Sequence, residues 1–194
     1  MSGWLRQTCS RVWLGVTLGT LVLTGCALGD RPPESASPPL SSQFRLTSPV
    51  FADESLIPAK FTCDGENISP MLQWDQPPIQ TKSLALIVED PDAPGQTFTH
   101  WVLYDLPPDT RQLPEKISPQ PFLQTGGLQG KSSFGKYGYG GPCPPSGTHR
   151  YLFKLYALDQ ILDLPPGTTQ ADLVKAMQGH VLAEAKLTGN YARP

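Results

Sequence analysis

Residues 83–89 carry the run Leu84-Ala85-Leu86-Ile87-Val88 with no polar interruption, which predicts a buried strand. Residues 44–51 set Phe44, Leu46 and Ser48 against polar neighbours, the alternation of a second strand. Residues 98–106 are aromatic and β-branched, and residues 149–158 (His-Arg-Tyr-Leu-Phe-Lys-Leu-Tyr-Ala-Leu) form the strongest strand pattern of the chain. Shorter candidates lie at 60–63, 71–74 and 188–192. Turn clusters separate them: Asp64-Gly65, Pro77-Pro78, the stretch 91–95, Pro107-Pro108 and Pro165-Pro166-Gly167. Many short strands with this punctuation predict a β-sandwich or barrel. One helix stands out. Thr168 or Thr169 can cap it, and Asp172 falls in its first turn. Leu173, Ala176, Met177, His180, Val181 and Ala185 recur at helical spacing, and Gly189 reads as the stop.

The N-terminus follows a different pattern. Arg6 and Arg11 precede an apolar run over residues 12–23. At about 12 residues the run suits a signal-peptide core and is short for a membrane span. It ends in Leu23-Thr24-Gly25-Cys26, which resembles the lipobox of bacterial lipoproteins. The expectation is a signal peptide at 1–25, a lipidated Cys26, and a chain anchored outside the cytoplasm on a bacterial membrane. Residues 26–43 follow as a Pro/Ser-rich tether without apolar periodicity, and a single domain occupies 44–194.

Composition narrows the classes. The 194 residues hold 22 prolines and 18 glycines, and the net charge is −2. Removing Arg6 and Arg11 with the signal would leave 13 basic against 17 acidic side chains. Nothing here suits a nucleic-acid partner. Of four cysteines, Cys9 would leave with the signal and Cys26 would be acylated. Cys63 and Cys143 remain, either paired in a compartment that permits disulfides or present as two thiols.

Three segments concentrate chemistry: Asp90-Pro91-Asp92-Ala93-Pro94, Thr99-His100-Trp101-Val102, and the glycine-rich stretch 137–151 that ends His149-Arg150-Tyr151. Each alone has a bland reading: a core or surface histidine, an Asp-Pro turn, a flexible loop. Together they can build a small anion site. Two histidines supply N–H donors, an aspartate fixes a tautomer and raises a histidine pKa, and glycines let backbone N–H groups approach a ligand. Tyr151 shares a strand face with His149.

These motifs resemble the signature of the phosphatidylethanolamine-binding protein (PEBP) family. Asp-Pro-Asp-Ala-Pro at 90–94, His100-Trp101-Val102 and Gly141-Pro142 leading to His149-Arg150-Tyr151 carry the resemblance. Phe61-Thr62-Cys63-Asp64-Gly65 and the stretch 140–145 are similar to its bacterial Raf-kinase-inhibitor-like branch. The resemblance implies a mainly β fold: a sandwich of two antiparallel sheets with short flanking helices, one of them near the C-terminus. It also implies an anion pocket at one end, formed by Asp90, His100, Gly141, Pro142, His149 and Tyr151, with Asp92 shaping the same loop, and a cis Ala93–Pro94 bond. Two departures bear on ligand choice. Cys143 stands where a second proline would follow Gly-Pro, and residues 188–194 do not match the segment that covers the pocket in eukaryotic members.

The function expected is a binding module for a phosphorylated or otherwise anionic small molecule or lipid headgroup, without cofactor or metal. Kinase inhibition does not suit a chain outside the cytoplasm; a protease-inhibitor-type interaction module is the alternative. A protein partner or a homodimer also stays open. A hydrolase ranks lower: Cys143 beside histidines could serve as a thiol nucleophile, or Asp90, His100 and His149 could hold a metal. However, Cys143 sits between prolines with no helix N-terminus to lower its pKa.

Overall fold

In the computed structural model, which describes residues 44–194, the apolar run becomes a central strand that explains its own lack of alternation. Every residue of Ser83–Asp90 is buried. Leu84, Leu86 and Val88 face a core between two sheets. Ala85 and Ile87 face a second core that also contains Leu173 and Met177 of the helix. Both faces are covered, so the strand needs no polar side.

In chain order the strands are β1 (Leu46–Thr47), β2 (Ser55–Leu56), β3 (Leu72–Trp74), β4 (Ser83–Asp90), β5 (Phe98–Leu106), β6 (Gln112–Leu113), β7 (Leu128–Gln129), β8 (Thr148–Leu158) and β9 (Val181–Ala192). The helix α1 (Gln170–Met177) precedes β9. One sheet has the order β1-β3-β6, the other β2-β9-β8-β4-β5-β7. All pairings are antiparallel except the short β2–β9 edge, which is parallel. The architecture is the expected mainly β sandwich of two sheets with a helix near the C-terminus. Among the described residues no helix is long and apolar enough to cross a membrane. The signal peptide at 1–25, Cys26 and the tether at 26–43 lie outside the described residues.

Three expectations need correction. Residues 59–61 form a 3-10 turn, not part of a strand at 60–63, with the Thr62 N–H donating to the Ala59 carbonyl. The helix is capped by Thr169, whose hydroxyl accepts from the Asp172 N–H, but it ends at Met177 and not near Gly189. Gly179, at φ 82°, turns the chain out of the helix. Leu182-Ala183-Glu184-Ala185-Lys186-Leu187 has strong helix formers, yet it pairs along β8 in β9. The reason is burial: Ala185, Leu187 and Tyr191 alternate into the inter-sheet core. Gly189 is no helix stop. A Cβ there would lie 2.4 Å from the Ile57 side chain, so the glycine lets that side chain pack on the strand. Finally, the described residues contain no cis peptide bond, so Ala93–Pro94 is trans. The Asp92 N–H donates to Asp90 Oδ1 at 2.8 Å, and this local turn directs the loop without a cis bond.

Candidate functional site

The core-facing row of β8 runs Ala157, Leu155, Phe153, Tyr151 and ends at His149. The core-facing row of β4 runs Leu84, Leu86, Val88 and ends at Asp90. At this end of the sandwich the apolar rows thus give way to two ionisable groups. They meet: His149 Nδ1–H donates to Asp90 Oδ2 at 2.7 Å, and both residues are buried. The aspartate holds the ring so that Nε2 is the nitrogen left for a ligand.

His100 arrives by a different route. In the β4–β5 ladder Val88 pairs with Trp101 but Glu89 pairs with Thr99. His100 is the extra residue of a bulge, which re-aims its side chain. Its Nδ1–H donates to the Gly140 carbonyl at 2.6 Å, and its ring lies 5.1 Å from the Tyr151 ring, edge to face. Burial pushes the His100 pKa below its ordinary value, outweighing the Gly140 hydrogen bond and the Asp90 charge. At neutral pH the ring is therefore uncharged, with an unprotonated Nε2. This reverses the raised value expected from an aspartate neighbour, because desolvation is the larger effect here.

Tyr151 completes the group. Its hydroxyl is buried and makes no hydrogen bond of good geometry among the described residues, though the Cys143 backbone and the Asp90 carboxylate both act on it. Burial, and secondly the Asp90 charge, raise its pKa, so it stays a protonated donor. An unpaired buried hydroxyl costs about 1–3 kcal/mol, which a ligand acceptor would recover.

Asp90, His100, His149 and Tyr151 line a cavity of about 200 Å³. Its other walls are Ala93, Pro94, Phe98, Phe134, Cys143 and Pro145. The volume is below the roughly 300–1,000 Å³ of pockets that enclose a drug-sized ligand. A small polar group fits, in apolar surroundings that strengthen its hydrogen bonds. No sequence motif points to Phe98 or Phe134 as site residues. Phe98 pairs with Asp90 across the ladder, a relation that only the register reveals, and the two phenyl rings lie 4.8 Å apart.

Gly141, Pro142 and Asp92 are not lining residues of this cavity. The Gly141 N–H donates to Asn67 Oδ1 at 2.7 Å, and the Pro142 carbonyl accepts from the Cys63 N–H at 3.0 Å. A Cβ on Gly141 would lie 2.5 Å from the Phe61 carbonyl oxygen. These residues seat the loop against the 59–67 turn. Asp92 ties its loop to β8: its carboxylate accepts from the Arg150 backbone N–H and from the Arg150 guanidinium. Those bonds hold its pKa at about 2.

Cys63 and Cys143 form a disulfide with Cα atoms 5.4 Å apart. Cys143 is thus both a cavity wall and a clamp on the loop. Its sulfur is bonded, which removes the thiol nucleophile considered from the sequence. Among the described residues no three His, Cys, Asp or Glu side chains gather as a metal cluster.

Comparison with known proteins bears on the family and the fold. A family model described as phosphatidylethanolamine-binding protein matches residues 47–192. A UPF0098 protein of Methanothermobacter thermautotrophicus is 54% identical over 150 residues, covering 77% of this chain and 99% of its own. A Mycobacterium tuberculosis protein named "Putative lipoprotein LppC" is 38% identical over 155 residues, covering 79% of this chain and 74% of its own. The crystal structure of a PEBP homologue, CT736 of Chlamydia trachomatis, superposes with a TM-score of 0.73 at 40% identity, covering 79% of this chain and all of that one.

Proposed function

Since the chain belongs to the phosphatidylethanolamine-binding protein family, we propose that it is a membrane-anchored binding protein whose cavity takes a phosphorylated or otherwise anionic small molecule or lipid headgroup. One observation carries the reading: His149, His100 and the unpartnered Tyr151 hydroxyl converge on a cavity of about 200 Å³. Tyr151 donates to an anionic oxygen. His149, oriented by Asp90, presents its Nε2 edge to the ligand. His100 accepts the hydroxyl of a protonated phosphate at Nε2, or takes up a proton and donates. Binding without turnover suits the site, since its one sulfur nucleophile is held in the disulfide.

The anchor reading rests on Leu23-Thr24-Gly25-Cys26 and on the lipoprotein name of the mycobacterial relative. The Cys63–Cys143 bond supports an oxidising, extracytoplasmic setting. The test is calorimetry of the domain with inorganic phosphate, glycerophosphate and phosphorylethanolamine. Saturable binding that phosphate competes away is the expected result; no heat with any of the three would end the proposal.

A further inference from the structure

The anion cavity is not isolated. Phe134 belongs both to its wall and to that of a neighbouring cavity of about 250 Å³. That cavity shares Asn67, Pro119 and Tyr139 with a third, of about 430 Å³, which extends to Ile117 and Lys116. The three adjoin one another through these shared walls, and the third reaches residues 116–119, which none of the pocket motifs includes. Their charge is one-sided. Lys136 lines the second cavity and Lys116 the third. Both are exposed, and neither has an ion-pair partner among the described residues. Among the described residues the sole acid lining these cavities is Asp90, already engaged by His149. This contrasts with the net charge of −2 for the whole chain.

We propose that these cavities form a groove for an extended acidic peptide, with the anion cavity as its terminal subsite. Two features favour a peptide. Apolar walls (Phe134, Tyr139, Ile117) alternate with single lysines, which suits a chain of mixed apolar and acidic side chains. An acyl chain would leave the lysines unmatched, and a polyanionic glycan would leave the apolar walls unmatched. A carboxylate or phosphate of the peptide enters beside His149, and acidic side chains reach Lys136 and Lys116. Phe134, half exposed between the first two cavities, supports the chain where it passes from one to the other.

The inference extends the proposed anion site and is tested apart from it. The probe is a fluorescein-labelled octapeptide alternating glutamate and leucine with a free carboxyl end, read by anisotropy. Inorganic phosphate binding is measured in parallel by calorimetry. The expected result is peptide binding that phosphate competes with, that salt weakens, and that falls about tenfold or more in the double variant Lys116→Glu, Lys136→Glu, with phosphate affinity unchanged. The lysines are exposed and unpaired, so the variant should melt like the wild type. Equal peptide binding by variant and wild type overturns the groove. So does phosphate binding without peptide binding, or binding to phosphatidylglycerol vesicles in place of the peptide. Lysine-dependent peptide binding with no phosphate binding would keep the groove and remove the small-anion reading.

Discussion

His149 Nδ1 lies 2.7 Å from Asp90 Oδ2, a bond that joins the start of β8 to the end of β4 across 59 positions of the chain. Each residue closes the core-facing row of its strand. Truncating either one therefore removes ligand chemistry without opening the core beneath it. His149→Ala should weaken a phosphate-bearing ligand about tenfold or more, the cost of one charge-assisted hydrogen bond. Asp90→Asn should weaken it as well, since the amide no longer fixes the His149 tautomer. Calorimetry on folded variants checks both, and wild-type affinity in His149→Ala would place the ligand elsewhere.

The state of His100 sets the pH dependence of binding. Its pKa lies below the ordinary 6.5, chiefly because the ring is buried. A bound anion favours the imidazolium, so binding takes up a proton. Affinity should then rise as pH falls towards the lowered value of His100. Without ligand the sign for stability is opposite. The neutral ring contributes fully above 6.5, and its contribution declines as pH falls towards the lowered value. Titrations in buffers of different ionisation enthalpy give the proton uptake directly. Affinity that grows as pH rises would contradict the assignment.

Loss of the Cys63–Cys143 bond frees a loop of about 80 residues in the unfolded chain. The chain-entropy model gives a loss of up to about 4 kcal/mol for Cys63→Ala with Cys143→Ala. Denaturant melts should show this, and reductant should shift the wild type towards the variant while leaving the variant unmoved. Two alkylatable thiols in the unreduced, denatured domain would show that the bond does not form.

The anchor is tested in the full-length chain. Cys26→Ser should release the protein from the membrane fraction or leave the signal uncleaved. Globomycin, which blocks the lipoprotein signal peptidase, should make the wild type accumulate in a heavier form. Unchanged mature mass and membrane retention in Cys26→Ser would exclude acylation at this residue.

The strands with the clearest patterns, β4, β5 and β8, were legible because the apolar and aromatic residues that mark them are the ones that fill the two cores. The pocket motifs were legible because an Asp-Pro turn, an aromatic-flanked histidine and a glycine-rich loop are unusual together. Local pattern failed where it competed with partners far along the chain. Residues 182–187 have the composition of a helix and lie in a strand, because β8 offers a ladder along nearly the whole of β9.

The sequence by itself determined which groups are available: an aspartate, two histidines and a tyrosine, each beside a strand or turn it could be assigned to. Only the tertiary structure decided what they do. The bulge between Val88 and Glu89 directs His100, and the burial that results drives its pKa down where a nearby carboxylate alone would raise it. The pairing of Asp90 with Phe98 brings a phenyl ring into the cavity, and Asn67 takes the Gly141 N–H that a ligand could have used. Hydrogen-bond partners and desolvation depend on residues tens of positions apart, and local periodicity carries no record of them.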